Sequence, residues 1–200
     1  MTIGIEERII QHLYLVSVAS VATTFFGIIL GVITYLSKFA RPIILWIVDL
    51  LQTIPVLALL GFVMVFFGPT STTVIVGLVL YSLLPVVRNC FVGLENINPA
   101  IKEAATGMGM TKFQSLYKVE LPLALPIIFA GIRIAVVTSI GIAVFGAVVG
   151  GGGLGATINR AVLIRDMSTL MTATVVLMVM ALVFDIGMGI IEKRLKSKNV

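Results

Sequence analysis

The sequence is short of almost everything a soluble enzyme or a nucleic-acid binder works with. A single cysteine, Cys90, excludes an internal disulfide and leaves the redox compartment unreadable. A single histidine, His12, expected at the outer edge of the membrane, excludes a histidine-based metal cluster. No metal site is expected, and without an acidic pair the parts of most hydrolytic dyads are missing. Charged residues are 12% of the 200 positions against 59% hydrophobic, too few to cover a soluble globule of this size with polar surface. No G-x-x-x-x-G-K-[ST] occurs, so the chain has no P-loop for nucleotide. Gly150, Gly152 and Gly155 spell G-x-G-x-x-G, but the preceding strand and the acidic residue about 20 positions on that a dinucleotide fold needs are missing. No internal repeat or low-complexity segment stands out.

What is present is long apolar runs, and the mean hydropathy is +1.16. Crossing about 30 Å of hydrocarbon takes roughly 20 apolar residues in a helix. Five runs meet that length: Leu13 to Leu36 without a charge, Ile43 to Phe67 with Asp49, Thr72 to about Phe91 with Arg88, Leu123 to Val149 with Arg133, and Ser168 to Ile191 with Asp185. The expectation is an all-α polytopic membrane protein of about five transmembrane helices, one domain over 1–200. Glu6 and Glu7 spoil a basic leader and the first run is too long for a removable hydrophobic core, so it reads as a retained span.

The net charge of +5 follows topology rather than a nucleic-acid patch. Lys38 and Arg41, then Arg88, Lys102, Lys112 and Lys118, then Lys193, Arg194, Lys196 and Lys198 fall on one side of the membrane; the other keeps Arg8, Arg160 and Arg165. The positive-inside rule places the amino terminus outside and the carboxyl terminus in the cytoplasm, with Trp46 anchoring the inner interface.

Between spans 3 and 4 lies the one substantial cytoplasmic segment, residues 95–122. Asn98 as N-cap with Pro99 at the first helical position opens a helix to about Thr106. Gly107 to Gly109 interrupt it. Thr111 with Gln114 three residues on matches a capping box that opens a second helix, which Pro122 is expected to end. Phe113, Leu116, Tyr117 and Leu121 are expected to form one apolar stripe. A helical hairpin between two spans is shaped for a protein partner.

The run Glu103-Ala104-Ala105, Gly109, Val119 and Leu121-Pro122 resembles the EAA signature of ABC-importer permeases, with every spacing matched. The resemblance implies the type I ABC importer permease fold. It also implies that this loop couples to a cytoplasmic ABC ATPase dimer, which uses ATP and Mg, while this chain binds no cofactor and is not itself an enzyme. Gln52-Thr53-Ile54-Pro55 with Leu57-Ala58-Leu59-Leu60, Tyr81 to Pro85 with Arg88-Asn89, Gly107 to Met110, Gly131-Ile132-Arg133 and Gly150 to Gly155 are similar to the glycine betaine/carnitine/choline permeases. Methionine importer permeases are the nearest rival. Gly152 stands where the osmoprotectant pattern often has Ala. The resemblance further implies a bacterial cytoplasmic membrane location, a second permease chain of the same or a related kind, and a substrate-binding protein outside the membrane.

Glycines at a span end can leave helical geometry where protein or water covers the freed backbone groups. In the importers that the chain resembles, this region lies near the outer mouth of the path, so the resemblance implies that place for Gly150, Gly152, Gly153 and Gly155, with a flexible extracellular turn as the alternative; Pro55 and Leu57 are expected to line the path. Gly27 and Gly31 form a small-xxx-small pair suited to helix packing. Asp49, Arg133 and Asp185 are each costly in hydrocarbon and lie about 10 to 15 Å from the cytoplasmic ends of their spans. Arg133 can pair with Asp185 or with Asp49, or each charge can reach back to the interface.

Overall fold

In the computed structural model, which describes residues 4–197, apolar stretches become helices and no strand forms among the described residues. Lys198 of the basic tail lies outside them. The order is α1 (Ile5–Leu36), α2 (Ala40–Thr53), α3 (Val56–Phe67), α4 (Ser71–Glu95), α5 (Pro99–Gly107), α6 (Lys112–Ser115), a π-helical turn (Leu116–Glu120), α7 (Leu121–Ile142), a 3-10 segment (Ala143–Val149), α8 (Gly153–Ile164) and α9 (Met167–Ser197). Four helical stretches are long and apolar enough to cross a membrane, and α2 with α3 makes a fifth if the pair is one span.

The second expected span is not straight. Its two halves meet at an angle of 103°. The cause is local: the ring of Pro55 pushes the preceding Ile54 out of helical geometry, to ψ 130, and Pro55 has no N–H to continue the ladder. At 14 and 12 residues, α2 and α3 extend only about 21 and 18 Å, each too short to cross alone.

At the centre stands α4, which packs against α1, α2, α3 and α7. Thr70 caps it, accepting from the backbone N–H of Thr73, and residues around its whole circumference are buried. A helix that is apolar all round belongs in such a place. The buried residues of α1 recur at helical spacing, His12, Leu15, Val16, Ala19, Thr23, Gly27, Gly31 and Thr34, one stripe laid along α4 and α7. Gly27 and Gly31 are the closest points of that stripe: a Cβ on Gly27 would stand 2.6 Å from Val86, and one on Gly31 would overlap Cys90. The pair thus serves packing within one chain. On the other flank of α4, Gly131 of α7 lies against the Pro85 carbonyl, 2.5 Å from where its Cβ would be. Ser82 and Ser139 hydrogen-bond at 2.9 Å in the same seam. α9 packs on α7 and α8 and buries only Ala173 and Met180 among its residues, so most of its apolar surface faces outward.

His12 lies near the start of α1, beside Gly153. It is fully buried, and its Nε2 donates to the Ile140 carbonyl at 3.0 Å, where α7 tightens toward its 3-10 continuation. Asp166 opens α9: its carboxylate accepts from the Thr169 hydroxyl at 2.6 Å and the Thr169 backbone N–H at 3.1 Å. Those bonds, the hydroxyl's foremost, hold its carboxyl below the usual carboxylate range. This cap therefore stabilises fully at neutral pH and is lost as pH falls through the lowered folded value.

Overpacking a glycine seam costs about 1–3 kcal/mol. Gly27→Leu is expected to lower the unfolding midpoint of the detergent-solubilised chain. Gly187→Leu, with nothing within 4 Å of its Cβ position, should leave it near wild type. Thermal scans of the two variants check this.

Candidate functional site

The segment between α4 and α7 folds as the hairpin its caps encode. Asn98 Oδ1 accepts from the Ala100 N–H at 3.0 Å with Pro99 opening α5. At the other end the chain turns on Gly109, whose φ of +79° falls in the left-handed region. The Gly109 N–H returns to the Thr106 carbonyl at 2.9 Å and the Met110 N–H to the Ala105 carbonyl at 3.1 Å, the paired closure of a Schellman motif. A Cβ-bearing residue at 109 would be strained there. Thr111 then caps α6 by the full reciprocal box: Thr111 Oγ1 accepts from the Gln114 N–H at 3.3 Å and Gln114 Oε1 from the Thr111 N–H at 2.9 Å.

Two expectations for this hairpin need correcting. Pro122 does not end the second helix. The chain runs on from Lys112 through the π-helical turn into α7, and Pro122 sits in the first turn of α7, where a missing N–H is tolerated. Nor do the four apolar residues form one stripe. Phe113 and Tyr117 are 75% and 67% exposed while Leu116 is buried, because the π turn rotates the helix against itself. Of the signature residues, Ala105 is buried at 1%, whereas Glu103, Ala104, Gly109 and Pro122 are exposed and Leu121 is half-buried. Ala105 lies on the inner side of the hairpin, where its carbonyl accepts the Met110 N–H of the turn. Glu103 and Ala104 share the outside with Ile101, Met108, Phe113 and Tyr117, an apolar face on a segment otherwise too polar for membrane.

The intramembrane charges resolve into separate pairs. Arg133 donates from Nε to Asp185 at 2.8 Å and from a second nitrogen at 2.9 Å, a two-pronged fork. It also donates to Glu192 at 3.0 Å, and Glu192 accepts from Lys196 at 2.7 Å. Gly189 gives the guanidinium room, since a Cβ there would stand 3.2 Å from Arg133 Cζ. Asp49 is held elsewhere: Arg88 of α4 donates to both its oxygens, at 2.7 and 3.0 Å. Arg41, stacked 4.6 Å from the centroid of the Phe91 ring, reaches Glu95 at 3.4 Å. The α2–α4 seam therefore carries two ion pairs and the α7–α9 seam one network. Sequence reasoning missed Arg88 as the partner of Asp49 and Glu192 as a second partner of Arg133. Depth hinted at the first, since Asp49 lies nine residues into α2 and Arg88 seven residues before the end of α4, about 14 and 11 Å.

The glycine run is packed rather than loose. Gly150, Gly152 and Gly153 have φ of +81°, +74° and +67°. Gly150 lies against the Pro69 carbonyl, Gly151 against Val74, and Gly155 so near the Val144 carbonyl that no Cβ fits. The Gly153 N–H donates to Gln11 Oε1 at 3.2 Å, which also accepts from Arg8 at 3.1 Å. Arg8, Gln11, Tyr14, Ser71 and the glycines line a small depression at this end. Pro55 and Leu57, both exposed, sit at the start of α3, whereas Pro69, against which Gly150 packs, follows its far end. The residues expected to line the path are therefore parted by the length of α3 and do not form one cluster.

The described residues thus form a helical body with a capped, exposed hairpin between two of its long apolar helices. Residues 23–197 match the family of binding-protein-dependent transport system inner membrane components, and the chain belongs to that family. It is 36% identical to the carnitine transport permease protein OpuCD of Listeria monocytogenes, covering 96% of this chain and 86% of that one. It is 38% identical to the osmoprotectant import permease protein OsmW of Salmonella typhimurium, over 88% and 84%. With the glycine betaine/carnitine/choline transport system permease protein OpuCD of Bacillus subtilis, identity is 41% over 84% and 74%. A solved structure of the inward-facing MetNI methionine ABC transporter superposes with a TM-score of 0.86 over 96% of this chain and 95% of that chain at 25% identity. The fold is that of an ABC importer permease, all-helical and built for the membrane.

Arg133→Ala takes from Asp185 both bonds of its fork and leaves Glu192, whose side chain is only 12% exposed, with Lys196 alone, and is expected to lower the unfolding midpoint of the solubilised chain. Adding Asp185→Asn and Glu192→Gln should recover most of that loss, while adding Asp49→Asn should recover none. Thr111→Ala removes a capping bond worth about 0.5–2 kcal/mol locally. Hydrogen exchange of the Phe113 to Ser115 amides should quicken, with α5 unchanged.

Proposed function

We propose that this chain is the membrane-spanning subunit of an ATP-driven importer of quaternary-ammonium compatible solutes such as glycine betaine, carnitine and choline. The observation that carries the proposal is the hairpin of residues 95–122. Its caps and its glycine turn hold the element in shape, and Glu103, Ala104, Phe113 and Tyr117 are exposed on it, available to a protein partner. The substrate class rests on the osmoprotectant relatives, which match most of the chain at higher identity than the methionine transporter does.

In this reading two permease chains, identical or related, form the path between them. A cytoplasmic ABC ATPase dimer binds ATP and Mg and grips Glu103, Ala104, Ala105, Gly109, Leu121 and Pro122 of each hairpin. A binding protein outside the membrane selects the solute and delivers it to the mouth near Gly150, Gly152, Gly153 and Gly155; Pro55 and Leu57, at the elbow of the broken span, line the way inward. The amino terminus faces outside, and the hairpin lies in the cytoplasm with the basic residues Lys38, Arg41, Lys112, Lys118 and Lys193. Differential binding of the partners to inward- and outward-facing states drives the alternation. The selective site for the cation lies in the binding protein, since this chain has one Trp and four Tyr with which to build a cation–π cage.

Purification of the carboxyl-terminally tagged chain from native membranes in mild detergent tests the proposal. An ATPase should co-elute with wild type and be lost from Glu103→Arg and from Gly109→Trp. Absence of an ATPase from wild type, under conditions that preserve other membrane complexes, rejects it.

A further inference from the structure

The base of the hairpin holds a buried carboxylate that neither the signature nor the ion pairs account for. Glu120, the last residue of the π turn, is 6% exposed. Both its oxygens are used: Oε2 accepts from the Tyr35 hydroxyl at 2.6 Å and Oε1 from the Ser115 hydroxyl at 2.8 Å. The Tyr35 oxygen in turn accepts from Lys102 Nζ at 3.0 Å, and the same ammonium donates to the Leu94 carbonyl at 3.0 Å and lies 5.0 Å from the centroid of the tyrosine ring. Four parts of the fold meet here: the end of α1, the end of α4, the outer helix α5 and the start of α7.

The chain of bonds has a fixed direction. An ammonium can only donate and an ionised carboxylate can only accept, so the phenol between them must accept from Lys102 and donate to Glu120. Each charge strengthens the bond at the other end of the phenol. The π turn builds the site. In an α-helix, residues five apart are rotated by about 140° and face different sides. The wider i to i+5 register, closed by the Leu121 N–H on the Leu116 carbonyl, stacks Glu120 over Ser115 and turns both inward. Lys102 is the residue beside Glu103, so a movement of α5 stretches this chain at once. It must then either carry Tyr35 and Glu120 along or take the cation away from the phenol that donates to a buried carboxylate, which is costly.

We infer that Lys102, Tyr35, Glu120 and Ser115 form the link that passes displacement of the α5–α6 hairpin to α1 and α7. They are positioning residues for transport, and the inference rests on the importer reading above. The test uses the whole importer, with its ATPase and binding protein, reconstituted in liposomes and supplied with labelled glycine betaine, carnitine and choline. The readout is solute imported per ATP hydrolysed. Tyr35→Phe removes one oxygen and both central bonds. It should leave the ATPase bound while the ratio falls by at least about fivefold, the low end of usual coupling between sites. Lys102→Met should act in the same direction, and Glu120→Gln, which still accepts from Tyr35, should stay nearer wild type than Glu120→Leu. A wild-type ratio in Tyr35→Phe overturns the inference while leaving the importer reading intact. So does loss of the ATPase from Tyr35→Phe alone, since the network would then only shape the docking surface. A wild-type chain that recruits no ATPase overturns the importer reading itself.

Discussion

Close approach of α1 and α7 to the central α4 is the constraint from which the remaining architecture follows. Helices in lipid gain little from burying apolar side chains, because the alternative solvent is equally apolar, and they associate through van der Waals contact and the few polar bonds they share. Gly27, Gly31 and Gly131 remove the side chains that would hold the backbones apart, at places where a Cβ would strike Val86, Cys90 or the Pro85 carbonyl. Once α1 and α7 are seated, the serine pair Ser82–Ser139 and the bond from His12 to Ile140 fall within reach. α8 and α9 have only the outer side left to occupy.

Against that rigid centre the helices break at three places, and neighbouring residues cover two of them. The elbow at Pro55 turns α3 by 103° from α2. The π turn at Leu116–Glu120 twists the hairpin against α7 and is held by Tyr35 and Ser115. The 3-10 segment and glycine run after Ile142 pack on Pro69, Val74 and Gln11. Irregular backbone at membrane depth survives only where protein or water satisfies it, and at the π turn and the glycine run the neighbours supply the partners. Straight helices form the frame, while the breaks set the hairpin, the elbow and the glycine run at their places.

Much of this was legible in the residues. Run length gave the spans, and cap chemistry gave the hairpin nearly residue by residue, since Asn98, Pro99, Gly109, Thr111 and Gln114 act on atoms two to five positions away. The elbow was less so: a single Pro in an apolar run is compatible with a gentle kink or a sharp turn. The partner of Asp49 was ambiguous because depth along a helix is readable from counting but azimuth relative to another helix is not. Phe113 and Tyr117 went astray for a related reason, as a regular period was assumed across a turn that is not regular.

The sequence by itself determined the membrane as solvent, the long apolar helices, the local caps and the family, because each depends on composition or on neighbours along the chain. Only the tertiary structure decided that Arg88 holds Asp49, that Arg133 bridges Asp185 and Glu192, that the glycine run is packed, and that Glu120 is buried beneath Tyr35. The side-chain bonds of Asp49, Arg133 and Glu120 to Arg88, Asp185, Glu192 and Tyr35 join residues 39 to 85 positions apart, and their geometry is set by how whole helices rotate and pack, a property no local pattern contains.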